Sequence, residues 1–107
     1  MKVPTAPKGL SAAARARWRT LQAEYGITDS GGLAVLEAHC EAFARMRDCQ
    51  KAIAKDGACL TDRWGQRKAH PLLSAERDAR SAMLQTLKQL GLDLEPLHDG
   101  PGRPGGA

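Results

Sequence analysis

Apolar residues recur every three or four positions between residues 10 and 25, with polar and charged residues between them. This spacing places the apolar side chains on one face of an amphipathic helix. Ser11 is a favourable N-cap and Gly26 a favourable helix terminator, so the pattern predicts a first helix over residues 12–24. Its apolar stripe comprises Leu10, Ala14, Trp18, Leu21 and Tyr25.

A second and longer helical pattern is capped by Asp29 or Ser30 and extends to about Lys55. The adjacent glycines Gly31 and Gly32 weaken its first turn. The helix is about 40 Å long at 1.5 Å per residue, more than a lone small domain easily covers. It carries two apolar lines, and such a helix usually packs against two neighbours, which indicates contact between subunits. The first line comprises Leu33, Leu36, Cys40, Phe43, Met46 or Arg47, Gln50 and Ile53, and the second comprises Val35, His39, Ala42 and Met46.

The segment from Gly57 to Pro71 interrupts the helical pattern. It contains β-favouring residues on either side of Trp64-Gly65, which predicts a short hairpin or ordered loop with its turn at that pair. Pro71 suits the first turn of a third helix, which Gly91 ends. The apolar face of this helix comprises Leu72, Ala75, Ala79, Met83, Leu87 and Leu90.

These patterns predict a mainly α fold, a small helical domain consisting of helix, long helix, short hairpin-like connector and helix. We expect residues 1–9 to be a flexible basic arm, residues 10–97 to form the domain, and residues 98–107, rich in glycine and proline, to be a disordered tail. A chain of 107 residues suffices for one small domain, which oligomerisation would stabilise further.

Charge is unevenly distributed over the chain, whose formal net charge is +4. Residues 1–26 carry five basic side chains against the single acid Glu24, and residues 58–70 carry three against Asp62. Basic charge concentrated in the first helix and the connector suits contact with a polyanion. A solvated surface explains the same charges equally well.

The sequence contains no recognisable catalytic constellation and no phosphate-binding glycine-rich loop, so we expect a non-enzyme without a cofactor. The three cysteines Cys40, Cys49 and Cys59 are spaced unlike any zinc motif, and we interpret them as structural. His39 is interpreted as a core or interface histidine, and His70 as a cap for the helix that follows. No apolar run is long enough to span a membrane.

A series of landmarks resembles the P27-like family of phage small terminase subunits. The series begins at Gly9-Leu10-Ser11 and runs through Trp18-Arg19, Leu36-Glu37 and Gly57. The most specific part is Gly65 and Lys68 followed by His70-Pro71-Leu72, then Glu76 to Arg80, with Leu90-Gly91-Leu92 closing the series. The resemblance covers roughly residues 8 to 94, and it lies in the order and spacing of these landmarks rather than in one motif.

The resemblance implies a role in viral genome packaging in the host cytoplasm. Small terminase subunits recognise double-stranded viral DNA, assemble into rings, and deliver the DNA to a large subunit that holds the ATPase and nuclease activities. Two alternatives remain open. One is a small helix-turn-helix DNA-binding regulator, although the second helix is long and its start glycine-rich for a recognition helix. The other is a structural virion adaptor protein.

Candidate contacts follow from charge and from the apolar stripes. Trp18 is expected in the core, whereas Trp64 is expected to anchor the connector, to pack on a neighbouring subunit or to stack on nucleic acid, in that order. The candidate DNA-binding residues are Lys2, Lys8, Arg15, Arg17, Arg19, Arg63, Arg67 and Lys68. The candidate oligomer-interface residues are Leu36, Phe43, Met46, Met83 and Leu87.

Overall fold

The computed structural model describes residues 4–92, and these form three helices and one two-stranded hairpin. The elements in chain order are α1 (Ala12–Tyr25), α2 (Ser30–Asp56), β1 (Cys59–Thr61), β2 (Arg67–Ala69) and α3 (Leu72–Gln89). The expectation of a mainly helical fold with a hairpin-like connector is therefore confirmed. Lys2, the predicted tail and the end of the predicted domain, residues 93–97, lie outside the described residues.

Local capping sets both ends of α1. The Ser11 hydroxyl accepts a hydrogen bond from the Ala14 backbone N–H at 3.2 Å, and Gly26 ends the helix with φ +57°. The Gln22 side chain then donates to the Ile27 carbonyl at 2.8 Å and accepts from the Ile27 N–H at 2.6 Å. This double contact holds the short turn that leads into α2.

The start of α2 needs the glycine that weakens its helix propensity. The Asp29 carboxylate caps the helix by accepting the Gly32 N–H at 2.8 Å. A Cβ atom at Gly32 would lie 2.8 Å from both an Asp29 carboxylate oxygen and the Ile27 side chain. The close approach of this carboxylate therefore depends on glycine at position 32.

Helix α2 lies between α1 and α3 and contacts both. One of its sides packs on α1, and His39, on the side facing α3, hydrogen-bonds the Met83 carbonyl. Each apolar line of α2 thus makes contacts within the chain, so the presence of two lines does not by itself indicate a neighbouring subunit. The core cluster comprises Leu10, Ala14, Trp18, Leu21, Leu36, Cys40 and Ala44.

Residues 4–9, the described part of the predicted arm, lie against α1. The Trp18 indole N–H donates to the Pro4 carbonyl at 3.2 Å, and Ala6 packs against the core. Trp18 itself is buried, as expected for a core tryptophan.

The connector between α2 and α3 is an antiparallel hairpin. Its register pairs Cys59 with Ala69, Leu60 with Lys68, and Thr61 with Arg67. His70 closes the base of the hairpin, since its ring accepts the Leu72 N–H at 3.0 Å and contacts the Asp56 carboxylate at 3.0 Å. This confirms His70 as a cap for the first turn of α3.

Candidate nucleic-acid interface

A single carboxylate organises the turn of the hairpin. One Asp62 oxygen accepts the backbone N–H groups of Trp64 and Gln66, both at 2.9 Å. The Asp62 N–H donates to the Gln66 carbonyl, and Gly65 adopts a φ of +81° that suits glycine. The turn is therefore held by its own hydrogen bonds.

The hairpin displays an aromatic ring and three cations. Trp64 is 72% exposed, and the Arg63 guanidinium lies 4.7 Å from the centre of its ring. Lys68 lies 3.6 Å from Asp62 and remains 63% exposed, while Arg67 is exposed and forms no ion pair within residues 4–92. The connector cations expected from the sequence are therefore all on the surface of one small element.

The three arginines of α1 have different environments. Arg15 is half-buried and donates to the Leu10 carbonyl at 3.2 Å, whereas Arg19 is exposed. Arg17 stacks over the Phe43 ring, with its guanidinium 4.9 Å from the ring centre, and its Nε donates to His39 at 3.0 Å. Lys8, which precedes the helix, is exposed.

His39 links all three helices through a fixed tautomer. Its Nε2 accepts from Arg17 on α1, so its proton sits on Nδ1, which faces the Met83 carbonyl and the Thr86 hydroxyl of α3 at 3.1 Å each. Burial, and then the Arg17 charge, lower the pKa of His39 below its ordinary value. A neutral His39 therefore holds Arg17 in place at the surface between α1 and α2.

Arg17 lines a groove between α1 and α2, and two further basic side chains line the same groove. Arg47 and Lys51 of α2 line this groove on the side of Phe43, and no acidic side chain lines it. We call it the α1–α2 groove; it is lined by Ala13, Ala16, Arg17, Thr20, Phe43, Arg47 and Lys51. The sequence prediction missed Arg47 and Lys51, although Phe43, Arg47 and Lys51 follow one another at intervals of four residues and so lie on one helix face.

The other flank of α2 is mixed in charge. There, a second depression against Leu10 and Ala14 is lined by Glu41 and Asp48 as well as Arg45. Of these two flanks, the α1–α2 groove is the one lined by basic side chains without an acidic one.

Comparison with known proteins identifies the family. A family model described as "Phage terminase, small subunit" matches residues 14–95, which is most of the chain. The chain belongs to this family. None of the curated proteins and none of the solved structures that were compared matches it.

The predicted interface residues of this small terminase subunit fall into two groups. Leu36 is 0% exposed and Met46 is buried, so both are covered by their own chain. Phe43, Met83 and Leu87 are each half-buried and keep some surface. The sequence prediction passed over Leu84, which is 52% exposed on α3.

A polar cluster joins α2 to α3 in the subunit. The Glu76 carboxylate accepts two hydrogen bonds from Arg80, at 2.6 and 3.2 Å, and one from Gln50 at 3.1 Å. These hydrogen bonds hold the pKa of Glu76 below its ordinary range, with the larger effect from Arg80 and the smaller from Gln50. Glu76 therefore serves the packing of α3 against α2.

The cysteines of the subunit are free thiols. Cys40 and Cys49 are buried and Cys59 is exposed. Burial raises the pKa of Cys40 to about 11, so its thiol stays neutral. Within residues 4–92, no group of three or more His, Cys, Asp or Glu side chains is arranged to hold a metal ion, and none of the helices is long and apolar enough to cross a membrane.

Proposed function

We propose that this chain is a non-catalytic small terminase subunit of the P27-like type. In this proposal it binds double-stranded viral DNA as a ring of identical subunits in the host cytoplasm. It then delivers the DNA to the large terminase subunit and regulates the ATPase and nuclease of that subunit during genome packaging. The family match supports the packaging role.

The α1–α2 groove is the observation that carries the DNA-binding part of the proposal. Three cations line it without an acid, and Arg17 is held there by His39 and Phe43. Phosphate contacts by Lys and Arg release counterions and supply most of the sequence-independent affinity for duplex DNA. In the proposal Arg15 and Arg19 add cations on α1, Lys8 adds one just before it, and the hairpin adds Arg63, Arg67 and Lys68.

Assembly converts this modest charge into useful affinity. A net charge of +4 per chain gives one subunit few phosphate contacts. A ring presents several copies of the groove to one duplex, so each further contact forms at a high effective concentration. The proposal therefore requires the oligomer for tight binding.

A two-residue variant of the groove tests the DNA-binding assignment. Arg47→Ala/Lys51→Ala removes two exposed cations and leaves the contacts of Arg17 to His39 and Phe43 in place. We expect weaker binding to linear duplex DNA in a gel shift. The dependence of the logarithm of affinity on the logarithm of salt concentration should also fall, by roughly one for each phosphate that the variant no longer neutralises.

The matched control removes the same charge elsewhere. Arg45→Ala/Lys88→Ala takes one cation from the mixed flank of α2 and one from the last turn of α3. This control should bind nearly as well as the unaltered protein. Equal losses of affinity in both double variants would show that net charge, not the groove, determines the affinity, and would overturn the assignment.

A second experiment tests the regulatory role. ATP hydrolysis by the cognate large subunit is measured with DNA, with and without the small subunit. The proposal expects a changed rate when the small subunit is present, and a smaller change with Arg47→Ala/Lys51→Ala. A rate unaffected by the small subunit would contradict the regulatory role and would favour a structural virion protein.

A further inference from the structure

Trp64 packs little against its own chain. It is 72% exposed at the turn of the hairpin, and the Arg63 guanidinium lies over its ring. A guanidinium on one face of an indole holds the ring in orientation and adds positive charge beside it. With that much of the residue exposed, the opposite face of the ring is accessible to a flat partner.

The hairpin presents this ring on a fixed support. Asp62 holds the backbone N–H of Trp64 directly, and His70 fixes the base of the hairpin to Asp56 and to α3. A partner that stacks on the indole therefore has little loop entropy to overcome on binding.

Cations extend from the ring along both faces of the hairpin. Lys68 pairs with Leu60 and Arg67 pairs with Thr61, and adjacent strand residues point to opposite faces. Arg67 and Lys68 thus stand on opposite faces, one or two residues beyond the turn. The combination of a free π face and cations on either side matches a nucleic-acid strand, whose phosphates alternate with stackable bases.

An intact duplex does not offer what the indole needs. The π faces of its bases are covered by their neighbours in the stack, so Trp64 finds a partner only where a base is unstacked or unpaired. We propose that the hairpin tip of this subunit binds unpaired nucleotides, with a base stacked on Trp64 and the flanking phosphates held by Arg63, Arg67 and Lys68. The inference rests on the proposed DNA-binding function and specifies which DNA structure the hairpin recognises.

The experiment compares two DNA probes with the full chain. One is a labelled oligothymidylate of about 16 nucleotides, the upper range for one binding module. The other is relaxed, covalently closed circular duplex, which has no ends. We expect Trp64→Ala to weaken oligothymidylate binding between about fivefold and about 150-fold, the range for one stacked base, and to leave circular-duplex binding within about twofold.

Two matched variants separate stacking from other effects. Trp64→Phe keeps an aromatic face and should retain most of the oligothymidylate affinity. Tyr25→Ala removes another exposed aromatic residue, 45% exposed at the end of α1, and should behave like the unaltered protein. Light scattering checks that all variants keep the same assembly mass.

Fluorescence gives a second measurement that needs no variant. Trp18 is 3% exposed, so quenching by acrylamide reports mainly on Trp64. Oligothymidylate should protect the exposed tryptophan from acrylamide, and circular duplex should not.

Unchanged oligothymidylate binding by Trp64→Ala, with no protection of the tryptophan from acrylamide, would overturn the inference and point to a protein partner for Trp64. An equal loss of affinity for both probes would overturn it in favour of insertion into a duplex groove. If the protein binds circular duplex but not oligothymidylate, the inference is wrong and the proposed DNA-binding function stands. If it binds neither probe at low salt, both are wrong.

Discussion

At the scale of single residues, His39 illustrates how a buried polar group can connect a core to a surface. Its ring joins α1 to α3 through Arg17 and Met83, and it has no exposed surface. The sequence indicated a core or interface histidine but not its partners. Those partners lie 22 and 44 residues away, and only the packing of the three helices brings them together.

The first prediction concerns the pH dependence that His39 confers. The folded state holds the pKa of His39 below the value near 6.5 of an unfolded chain. Below that pH His39 becomes protonated in the unfolded chain but stays neutral in the folded chain. The free energy of unfolding therefore falls as the pH drops. The slope from this one group is at most about 1.4 kcal/mol per pH unit.

Urea unfolding at several pH values and one protein concentration checks this prediction. His39→Gln retains a polar group that does not titrate. We expect it to be less stable than the unaltered protein at pH 7, and to lose less stability between pH 7 and pH 5. Identical pH slopes for the two proteins would show that His39 is not the group responsible.

The second prediction separates core from surface among the leucines. Leu36 is 0% exposed, so Leu36→Ala leaves a cavity and should lower the free energy of unfolding by about 2–5 kcal/mol. Leu84→Ala makes the same chemical change at a 52% exposed position, and its effect on the free energy of unfolding of the single chain should stay within about 0.5 kcal/mol. Urea unfolding at low protein concentration, where assembly contributes least, measures both; similar values would contradict the described burial.

At the scale of elements, the ends of the helices were predictable because their causes are local. Ser11, Gly26, Asp29 and Gly57 act on backbone groups within a few residues, and the predicted bounds differ from the observed ones by a single residue at the C-terminal ends of α1 and α2. The hairpin was also predicted, since β-favouring residues flank a glycine turn.

What covers each apolar line was not predictable. A stripe on α2 has the same sequence whether α3 of its own chain or a neighbouring subunit packs on it. The sequence predicts a subunit contact for these lines, and in the structure α1 and α3 cover part of them, including Leu36, His39 and Cys40. The α1–α2 groove escaped prediction for the same reason, because Arg17 and Lys51 become neighbours only when the two helices pack.

The third prediction concerns the hairpin as an element. Asp62 is the only acidic residue between Gly57 and Pro71, and its carboxylate holds the turn. Asp62→Asn keeps an oxygen that can accept the same two N–H groups and removes the negative charge. If the hairpin contacts DNA, the loss of this charge should raise affinity a few-fold at low salt.

Asp62→Ala provides the comparison, since it removes both the charge and the turn acceptor. Amide hydrogen exchange should quicken at Trp64 and Gln66 in Asp62→Ala but not in Asp62→Asn. Asp62→Asn with unchanged exchange and unchanged DNA affinity would show that the hairpin does not lie against DNA.

At the scale of the whole molecule, the described surface leaves one large exposed aliphatic residue on α3. Leu84 is 52% exposed, with Leu87 half-buried one turn beyond, whereas most of the apolar surface of α2 is already covered by its own chain. If subunits assemble through an apolar contact, the outer side of α3 is better placed for it than Leu36 or Met46. Of the interface residues that the sequence predicts on both helices, those on α3, Met83 and Leu87, are therefore better placed for such a contact than Leu36 or Met46.

The fourth prediction tests this placement and links assembly to DNA binding. Leu84→Asp puts a charge where a neighbouring subunit would bury an apolar side chain, at a position whose exposure leaves the fold of the single chain intact. We expect multi-angle light scattering to report a lower mass and circular dichroism to report unchanged helix content. Tyr25→Asp, which also places a charge at an exposed residue, should keep the full mass.

Because separated subunits lose the effective concentration that a ring provides, the affinity of Leu84→Asp for duplex DNA should fall on the order of a hundredfold. A lower mass with undiminished affinity would mean that single subunits suffice for DNA binding, and an unchanged mass would move the subunit contact away from Leu84.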